Sequence, residues 1–417
     1  MIHLNADIVV VGGGPAGLAA ALRARQQGAE KVMILERDQQ LGGILQQCIH
    51  DGFGLHRFGK RLSGTQYAQA FIDEVEKTDI QVKLDTMVLE VTKDKLVYAC
   101  NRKDGMLEIQ AGAVILTMGC RERTASQVFI YGDRPTGVLT AGAVQRYINM
   151  EGYLPGKRAV ILGSGDIGLI MARRMTLEGM EVEGVYEVMS SPGGLTRNIV
   201  QCLNDFDIPM HLSTTVTQVH GRQRVEAVTV ARVDEKRKPI PGTERTIPCD
   251  LLVLAVGLIP ENELSRQAGI EIDPKTKGPV LDNCFMTSIP GIFAAGNVGV
   301  VFDLVDYVSR SGEIAADSAV SYLRGELPLD APYRSVHCGE NVNFSVPQRI
   351  RETGKPATFF LRVKAPKKLA KLTCTAGEEE LFKKTCRYVA PPEMLTLDVE
   401  HCGTRDIEIS VREVEGK

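Results

Sequence analysis

Cys48, His50 and His56 bring a thiol and two imidazoles into one glycine-rich run, Gly42-Gly43-Ile-Leu-Gln-Gln-Cys48-Ile-His50-Asp51-Gly-Phe-Gly-Leu-His56. Such groups can deliver or take a proton, or line the pocket of a polar substrate. The blander reading is a packed cysteine with solvent-facing imidazoles. A second gathering, Cys338, Cys374, Cys386 and Cys402 with His337 and His401, invites a metal reading. Its spacing matches neither a zinc site nor the tight cysteine runs of iron–sulfur clusters, so no metal is expected. The carboxylates Glu36 and Glu187 are of another kind. Each closes a short apolar strand roughly twenty residues after a glycine-rich turn, where an acid can accept hydrogen bonds from ribose hydroxyls.

The elements around Glu36 fit that use. Asp7-Ile-Val-Val-Val11 is a β-branched run that reads as a buried parallel strand. Gly12-Gly13-Gly14-Pro15-Ala16-Gly17 follows at once, then a helical stretch, Leu18 to Gln27, and a second strand, Lys31 to Leu35. Gly12 permits the tight turn, Gly14 lets backbone approach a pyrophosphate, and Gly17 lets the helix close on the strand. The pattern returns later: Arg158 to Leu162 as strand, Gly163-Ser-Gly165-Asp166-Ile167-Gly168 as turn, Leu169 to Glu178 as helix, and Glu181 to Tyr186 as strand ending at Glu187. One chain therefore carries two dinucleotide sites. At the second, an acid with no adjacent arginine favours NAD(H) over NADP(H), whose 2′-phosphate it would repel.

The chain is long enough, at 417 residues, for two or three cores. A net charge of −3 gives no electrostatic case for nucleic acid. No apolar run approaches the roughly 20 residues needed to span a bilayer. No signal peptide is read at the N-terminus, and a cytoplasmic protein is expected. None of the 10 cysteines falls in a CxxC, and most should be thiols in a reducing compartment.

Between and beyond the repeats, Thr65 to Lys77 reads as helix, and Val82 to Val91 and Leu96 to Ala99 as strands. Ala113-Val-Ile-Leu-Thr-Met-Gly119 and Leu251-Leu-Val-Leu-Ala-Val-Gly257 are buried strands, each ending on glycine. Gly291-Ile-Phe-Ala-Ala-Gly296-Asn297 leads to a turn, and Asp303 to Tyr322 to a long helix. From Ala331 the texture turns to prolines and alternating strands, Ala357 to Val363, Leu395 to Val399 and Asp406 to Val411. A basic stretch, Lys364 to Lys371, reads as a solvated face that could dock an acidic partner.

These ordered motifs resemble the pyridine nucleotide-disulfide oxidoreductase superfamily over about 330 of the 417 residues. The resemblance implies an α/β fold of two nested Rossmann-like domains, for FAD and NAD, plus a small β-rich C-terminal domain. The implied bounds are 1–120 and 258–330 for the FAD domain, 121–257 for the NAD(P) domain and 331–417 for the last. By resemblance FAD lies against Gly12, Gly14, Pro15, Ala16, Gly17, Glu36, Arg37, Gly42, Gly43 and Gly119. Its ribityl chain lies near Gly296-Asn297, with Asp303 and Leu304 opening the helix whose positive end would face the flavin. The nicotinamide nucleotide lies against Gly163, Gly165, Asp166, Ile167, Gly168, Glu187 and Gly257.

Two departures matter. The family's usual Asp is Asn297 here, which keeps an acceptor and adds a donor without the charge. The redox disulfide is missing as well. Disulfide reductases of low molecular weight carry CxxC just before the second turn, where this chain has Gly137-Val-Leu-Thr140-Ala-Gly142-Ala143. Those of high molecular weight pair two cysteines after the Gly-Gly turn, where Cys48 stands without a second. Thiol–disulfide exchange needs both sulfurs, so disulfide reductase activity is not expected. The Thr-Ala-Gly-Ala segment is similar to FAD subunits of sarcosine oxidase, opine dehydrogenase and cyanide synthase. The loop Gly42 to His56 and the run Gly296 to Ser309 look nearest to a bacterial flavoprotein encoded beside a glycerol-3-phosphate dehydrogenase-like flavoprotein and a small cysteine-containing protein.

The function implied is an FAD-dependent, NAD(H)-linked oxidoreductase, working as one subunit of an oligomeric or heteromeric electron-transfer assembly. Its partners would be NADH, a partner flavoprotein and a small redox protein. Two rivals stand beside it. One is a self-sufficient NADH oxidase or amine/opine dehydrogenase subunit; the other is a non-catalytic scaffold with structural FAD.

Overall fold

The apolar run Asp7–Val11 is the inner half of a longer strand, Ile2–Val11. In the computed structural model of the chain, which describes residues 1–414, it pairs in parallel with Val32–Leu35 and with Gly105–Leu116. Only the last four residues of each of these two long strands are continuously buried. The exposed residues in their leading halves break the apolar signal, so the sequence reveals only the ends. With Gln81–Lys83 at the edge, the sheet has the doubly wound order in which the first strand lies inside the second and third.

The strand Gly105–Leu116 is shared on its far side. Its first half pairs antiparallel with Leu96–Asn101, which returns to Met87–Val91. Its second half pairs in parallel with Ile292–Ala294, supplied from beyond the second glycine turn. The sheet begun before the insertion is thus completed after it. The helices Pro15–Gln26 and Val305–Leu323 pack closely over this sheet, because a Cβ at Gly312 would strike the Ala16 carbonyl oxygen. Arg23 and Asp317 join them at 2.6 Å. Gly64–Glu76 forms the expected helix, opened by a capping box between Ser63 and Gln66.

The second turn belongs to a five-stranded parallel sheet ordered Val138–Thr140, Leu251–Leu254, Arg158–Leu162, Glu181–Tyr186 and Met210–His211. The strands Thr214–His220, Ala227–Arg232 and Arg245–Pro248 form an antiparallel meander, and its valines share a core with Val160, Leu162 and Tyr186.

The C-terminal residues fold into a five-stranded sheet containing Tyr333–Cys338, Lys367–Ala376 and Ile407–Glu413, and a three-stranded sheet of Val342–Val346, Ala357–Val363 and Leu395–Val399. Phe359, Leu361, Leu372, Cys374 and Ile409 fill the core between them. The strand Lys367–Ala376 starts inside the basic stretch, so part of that stretch is paired backbone and buries Ala370. Lys367 meets Glu413 at 2.9 Å and Lys371 meets Glu380 at 3.8 Å.

By packing, the described chain divides into two compact units. One holds Met1–Gln46, Asp51–Cys120 and the residues from Pro260 onward, including the C-terminal sheets. The other holds Arg121–Ile259 together with Gln47–His50. The expected α/β architecture, with two Rossmann-like sheets and an added β-rich region, is the one observed.

Candidate dinucleotide sites

In the first unit, the turn after Ile2–Val11 is shaped by what its glycines exclude. Gly12 has φ +106°, and a Cβ there would lie 2.7 Å from the Thr117 carbonyl oxygen. A Cβ at Gly17 would strike the Gly12 carbonyl oxygen. Gly14 is different: nothing lies within 4 Å of where its Cβ would be. It is also the N-cap of Pro15–Gln26, without a side-chain cap. Open space therefore meets uncapped helix N–H groups, the combination that accepts a pyrophosphate. Gly43, with φ +55°, brings the Gly42-Gly43 turn against Gly14.

Glu36 is 5% exposed. Its Oε2 accepts from Gly13 N at 2.6 Å, and its Oε1 from Asp38 N at 2.8 Å. A carboxylate oxygen has two lone-pair sites, so one remains on each, enough for a ribose diol. Arg37, next in the chain, pairs instead with Glu261 at 3.2 Å. Thr117, which sequence reasoning did not single out, donates its hydroxyl to the Val11 and Gly12 carbonyls at 2.8 and 2.9 Å. A lone threonine at a strand end carries no sequence signal for that role.

Gly296 has φ +70°, and its N–H donates to Ser311 Oγ at 2.8 Å. Asn297 Oδ1 accepts from Phe302 N at 3.0 Å, while Nδ2 donates to Cys120 Sγ at 3.5 Å. The amide's extra donor is thus in use, which gives a physical reason for Asn at this position. The helix begins at Val305 with Leu304 as N-cap, two residues later than expected, and Leu304 offers no capping side chain. Asp303 lies just outside it, with Oδ1 buried and without a partner.

The second unit repeats the scheme. A Cβ at Gly163 would strike the Ala255 carbonyl oxygen, one at Gly168 would lie 2.6 Å from the Gly163 carbonyl oxygen, and one at Gly165 would meet nothing closer than 4.0 Å. Gly165 caps the helix Asp166–Leu177 without a side chain. Glu187, 7% exposed, accepts from Ser164 N and Ser164 Oγ on Oε2, at 2.9 and 2.6 Å, and from Met189 N on Oε1 at 2.8 Å. One lone-pair site on Oε1 remains, and no arginine among the described residues is its partner. Asp166, just before Ile167, holds Leu195 N at 2.9 Å and Asn198 Nδ2 at 2.6 Å, and Ser164 Oγ takes Gly193 N at 2.8 Å. Gly119 and Gly257, the two strand-end glycines, have φ +76° and +106°.

The three loop candidates fall in different units. Cys48 and His50 belong with the second, His56 with the first. Cys48 is 8% exposed beside Gln145 Oε1, 3.8 Å away, and burial pushes its thiol up to about 12. Such a thiol stays protonated at neutral pH and suits a donor better than a nucleophile. His50 is half-buried. His56 is exposed and stacks on Tyr307 with ring centres 6.1 Å apart. In the stretch without CxxC, Thr140 caps the helix Ala141–Asn149, and Gly142 N donates to both Glu122 carboxylate oxygens at 2.9 Å. No disulfide forms among the described residues.

Two Rossmann-like sheets, each with a glycine turn opening on an uncapped helix and a buried acid beside it, define a protein of the two-dinucleotide class. Residues 6–312 match the family described as pyridine nucleotide-disulphide oxidoreductase, and the chain belongs to that family. It is 26% identical to an opine oxidase subunit of Agrobacterium tumefaciens, over 76% of this chain and 66% of that one. It is 26% identical to a hydrogen cyanide synthase subunit of Pseudomonas protegens, over 79% of this chain and 73% of that one. It is 25% identical to the alpha subunit of sarcosine oxidase from a Corynebacterium species, where 77% of this chain spans only 33% of the relative. In fold it is similar to the thioredoxin reductase of T. acidophilum, with a TM-score of 0.60 and 24% identity over 76% of this chain and 98% of that one. Family members are oxidoreductases that bind FAD and NAD(P). No helix among the described residues is long and apolar enough to cross a membrane.

Proposed function

We propose that the chain binds FAD in the first unit and NAD(H) in the second, and passes electrons between them as one subunit of a larger assembly. The observation that carries this is the pairing of open glycine and part-satisfied buried acid, found at Gly14 with Glu36 and again at Gly165 with Glu187. When bound, FAD exchanges hydride with a nicotinamide. The chain's own residues bind and orient: the helix N-termini after Gly14 and Gly165 take the pyrophosphates, and Glu36 and Glu187 take the riboses. The Gly296-Asn297 turn takes the ribityl chain, and the buried Glu187 carboxylate disfavours a 2′-phosphate. His56 is the candidate for proton delivery in the first unit, and His50 in the second. The role within an assembly is supported by relatives that are themselves named as subunits. The partner proposed is a glycerol-3-phosphate dehydrogenase-like flavoprotein, with a small redox protein as a further acceptor, in the cytoplasm.

The test is steady-state turnover of the isolated full chain with NADH. Reduction of a dye acceptor with little oxygen uptake supports the subunit reading. Rapid oxygen consumption without a partner would support a self-sufficient oxidase instead.

A further inference from the structure

The segment from Val300 to Arg310 joins the Gly296-Asn297 turn to the helix Val305–Leu323, and much of what holds it comes from the far end of the chain. Met394 N donates to Asp303 Oδ2 at 2.8 Å. Arg362 Nη2 donates to the Val301 carbonyl at 3.2 Å. Arg310 Nη2 donates to Asp398 Oδ1 at 2.6 Å and to Thr358 Oγ1 at 3.1 Å, while the Thr358 hydroxyl donates to the same Asp398 oxygen at 2.6 Å. Phe360, fully buried, meets Phe302 edge-on at 5.0 Å and Tyr307 at 5.8 Å. These contacts come from Ala357–Val363 and Leu395–Val399, neighbours in the three-stranded sheet, and from the turn just before the second. A tethered domain meets its neighbour through a polar, loosely packed surface. Here Val346, Phe360 and Met394 share one apolar core with the first parallel sheet.

We infer that the C-terminal β region is a working wall of the flavin site, fixing Asp303 so that one carboxylate oxygen faces an N–H or O–H donor of the bound cofactor. The inference rests on FAD lying in the first unit. Asp303 Oδ2 is taken by Met394, and Oδ1 is buried without a partner. A buried acceptor left unmet is costly, so a donor belongs there. Beside it the helix Val305–Leu323 opens without a side-chain cap, leaving N–H donors. An acceptor next to donors complements the imide edge of a flavin, which offers an N–H between two carbonyls. Asp303 would then touch the cofactor, and Arg362 and Met394 would act as positioning residues.

The experiment titrates full-length apo-protein with FAD by flavin fluorescence and measures the midpoint potential of the bound flavin. Wild type, Asp303→Asn and Arg362→Met are compared with Asp406→Asn, an exposed site away from Asp303 whose carboxylate meets only Ser335 N and His337, and whose amide oxygen can still accept from Ser335 N. Asp303→Asn keeps the shape and replaces an acceptor by a donor, so FAD affinity should fall about tenfold or more. The potential should move positive, because a negative charge opposing reduction is gone. Arg362→Met should weaken FAD in the same sense, Arg362→Lys should restore part of it, and Asp406→Asn should match wild type. Melting curves of the apo-proteins separate loss of fold from loss of site, and a variant that melts early is read through its conservative partner, Asp303→Glu or Arg362→Lys. Unchanged affinity and potential in Asp303→Asn overturn the inference. A weakened Asp303→Asn beside an unaltered Arg362→Met overturns the part given to the C-terminal region. Absence of FAD binding by wild type overturns the underlying assignment of the first unit, and this inference with it.

Discussion

Glu187 receives both the backbone N–H and the hydroxyl of Ser164 on a single oxygen, at 2.9 and 2.6 Å. The equivalent acid of the first unit, Glu36, takes one backbone N–H on each oxygen. The second site is thus held more firmly and has less capacity left for a ligand. Replacing Glu187 by Gln removes an acceptor of charge-assisted bonds, which costs about 10- to 100-fold in NADH affinity. The expected result is a raised KM for NADH with the flavin content unchanged. Loss of flavin from this variant would place the second acid at the wrong cofactor.

The glycines separate fold from ligand. Gly14 and Gly165 have ordinary negative φ, −76° and −64°, and no crowding. Alanine at either position should leave the apo-protein's melting temperature near wild type. Gly14→Ala should weaken FAD, and Gly165→Ala should weaken NADH only. Gly17→Ala, by contrast, drives a methyl into the Gly12 carbonyl and should lower the yield of folded protein. Calorimetry of the apo-proteins with cofactor titrations reads all three.

Cys48 should be slow to alkylate in the folded protein, because a thiol pushed up to about 12 offers almost no thiolate at neutral pH. Its labelling by iodoacetamide should rise sharply on unfolding. Cys48→Ser keeps a donor beside Gln145 and should turn over within about twofold of wild type. Loss of an acid–base group costs about 100-fold or more. His50→Asn and His56→Asn at saturating FAD should each show such a loss, and an unchanged rate removes that histidine from the chemistry.

Asp282 and Arg351 form an ion pair at 3.0 Å with side chains 1% and 2% exposed, and Arg351 also donates to the Pro328 and Leu329 carbonyls. Removing one partner strands a buried charge and should cost about 3–5 kcal/mol of stability. Asp282→Asn measured by urea unfolding should show that loss, and an apolar pair at both positions should not recover it, because Cys284 N, Met286 N and the Pro328 and Leu329 carbonyls would each lose a partner. Equal stability of the single variant and wild type would make the pair incidental.

The glycine turns, the strands that feed them and the two acids are legible because period, spacing and residue type all act within about 30 residues. What escapes is non-local. The segment Gln47–His50 leaves its chain neighbours to join the second unit, and Asn149 Nδ2 meets the Gln47 carbonyl at 2.8 Å. Ser164 reads as filler between two glycines, yet it orders Glu187 and Gly193 at once. The hold of Met394 and Arg362 on residues 301–303 joins positions 91 and 61 residues apart, and no short pattern records it. An acid at Asp303 suggests the start of the last helix. In the structure that acid stands outside the helix, bonded to Met394.

The most direct measurement is anaerobic stopped-flow absorbance of the FAD-loaded full chain mixed with NADH and, separately, with NADPH. Rapid bleaching at the flavin maximum with NADH, and much slower bleaching with NADPH, is the result expected from a buried Glu187 without an arginine partner among the described residues. Absence of bleaching with either nucleotide, or faster bleaching with NADPH, would contradict it.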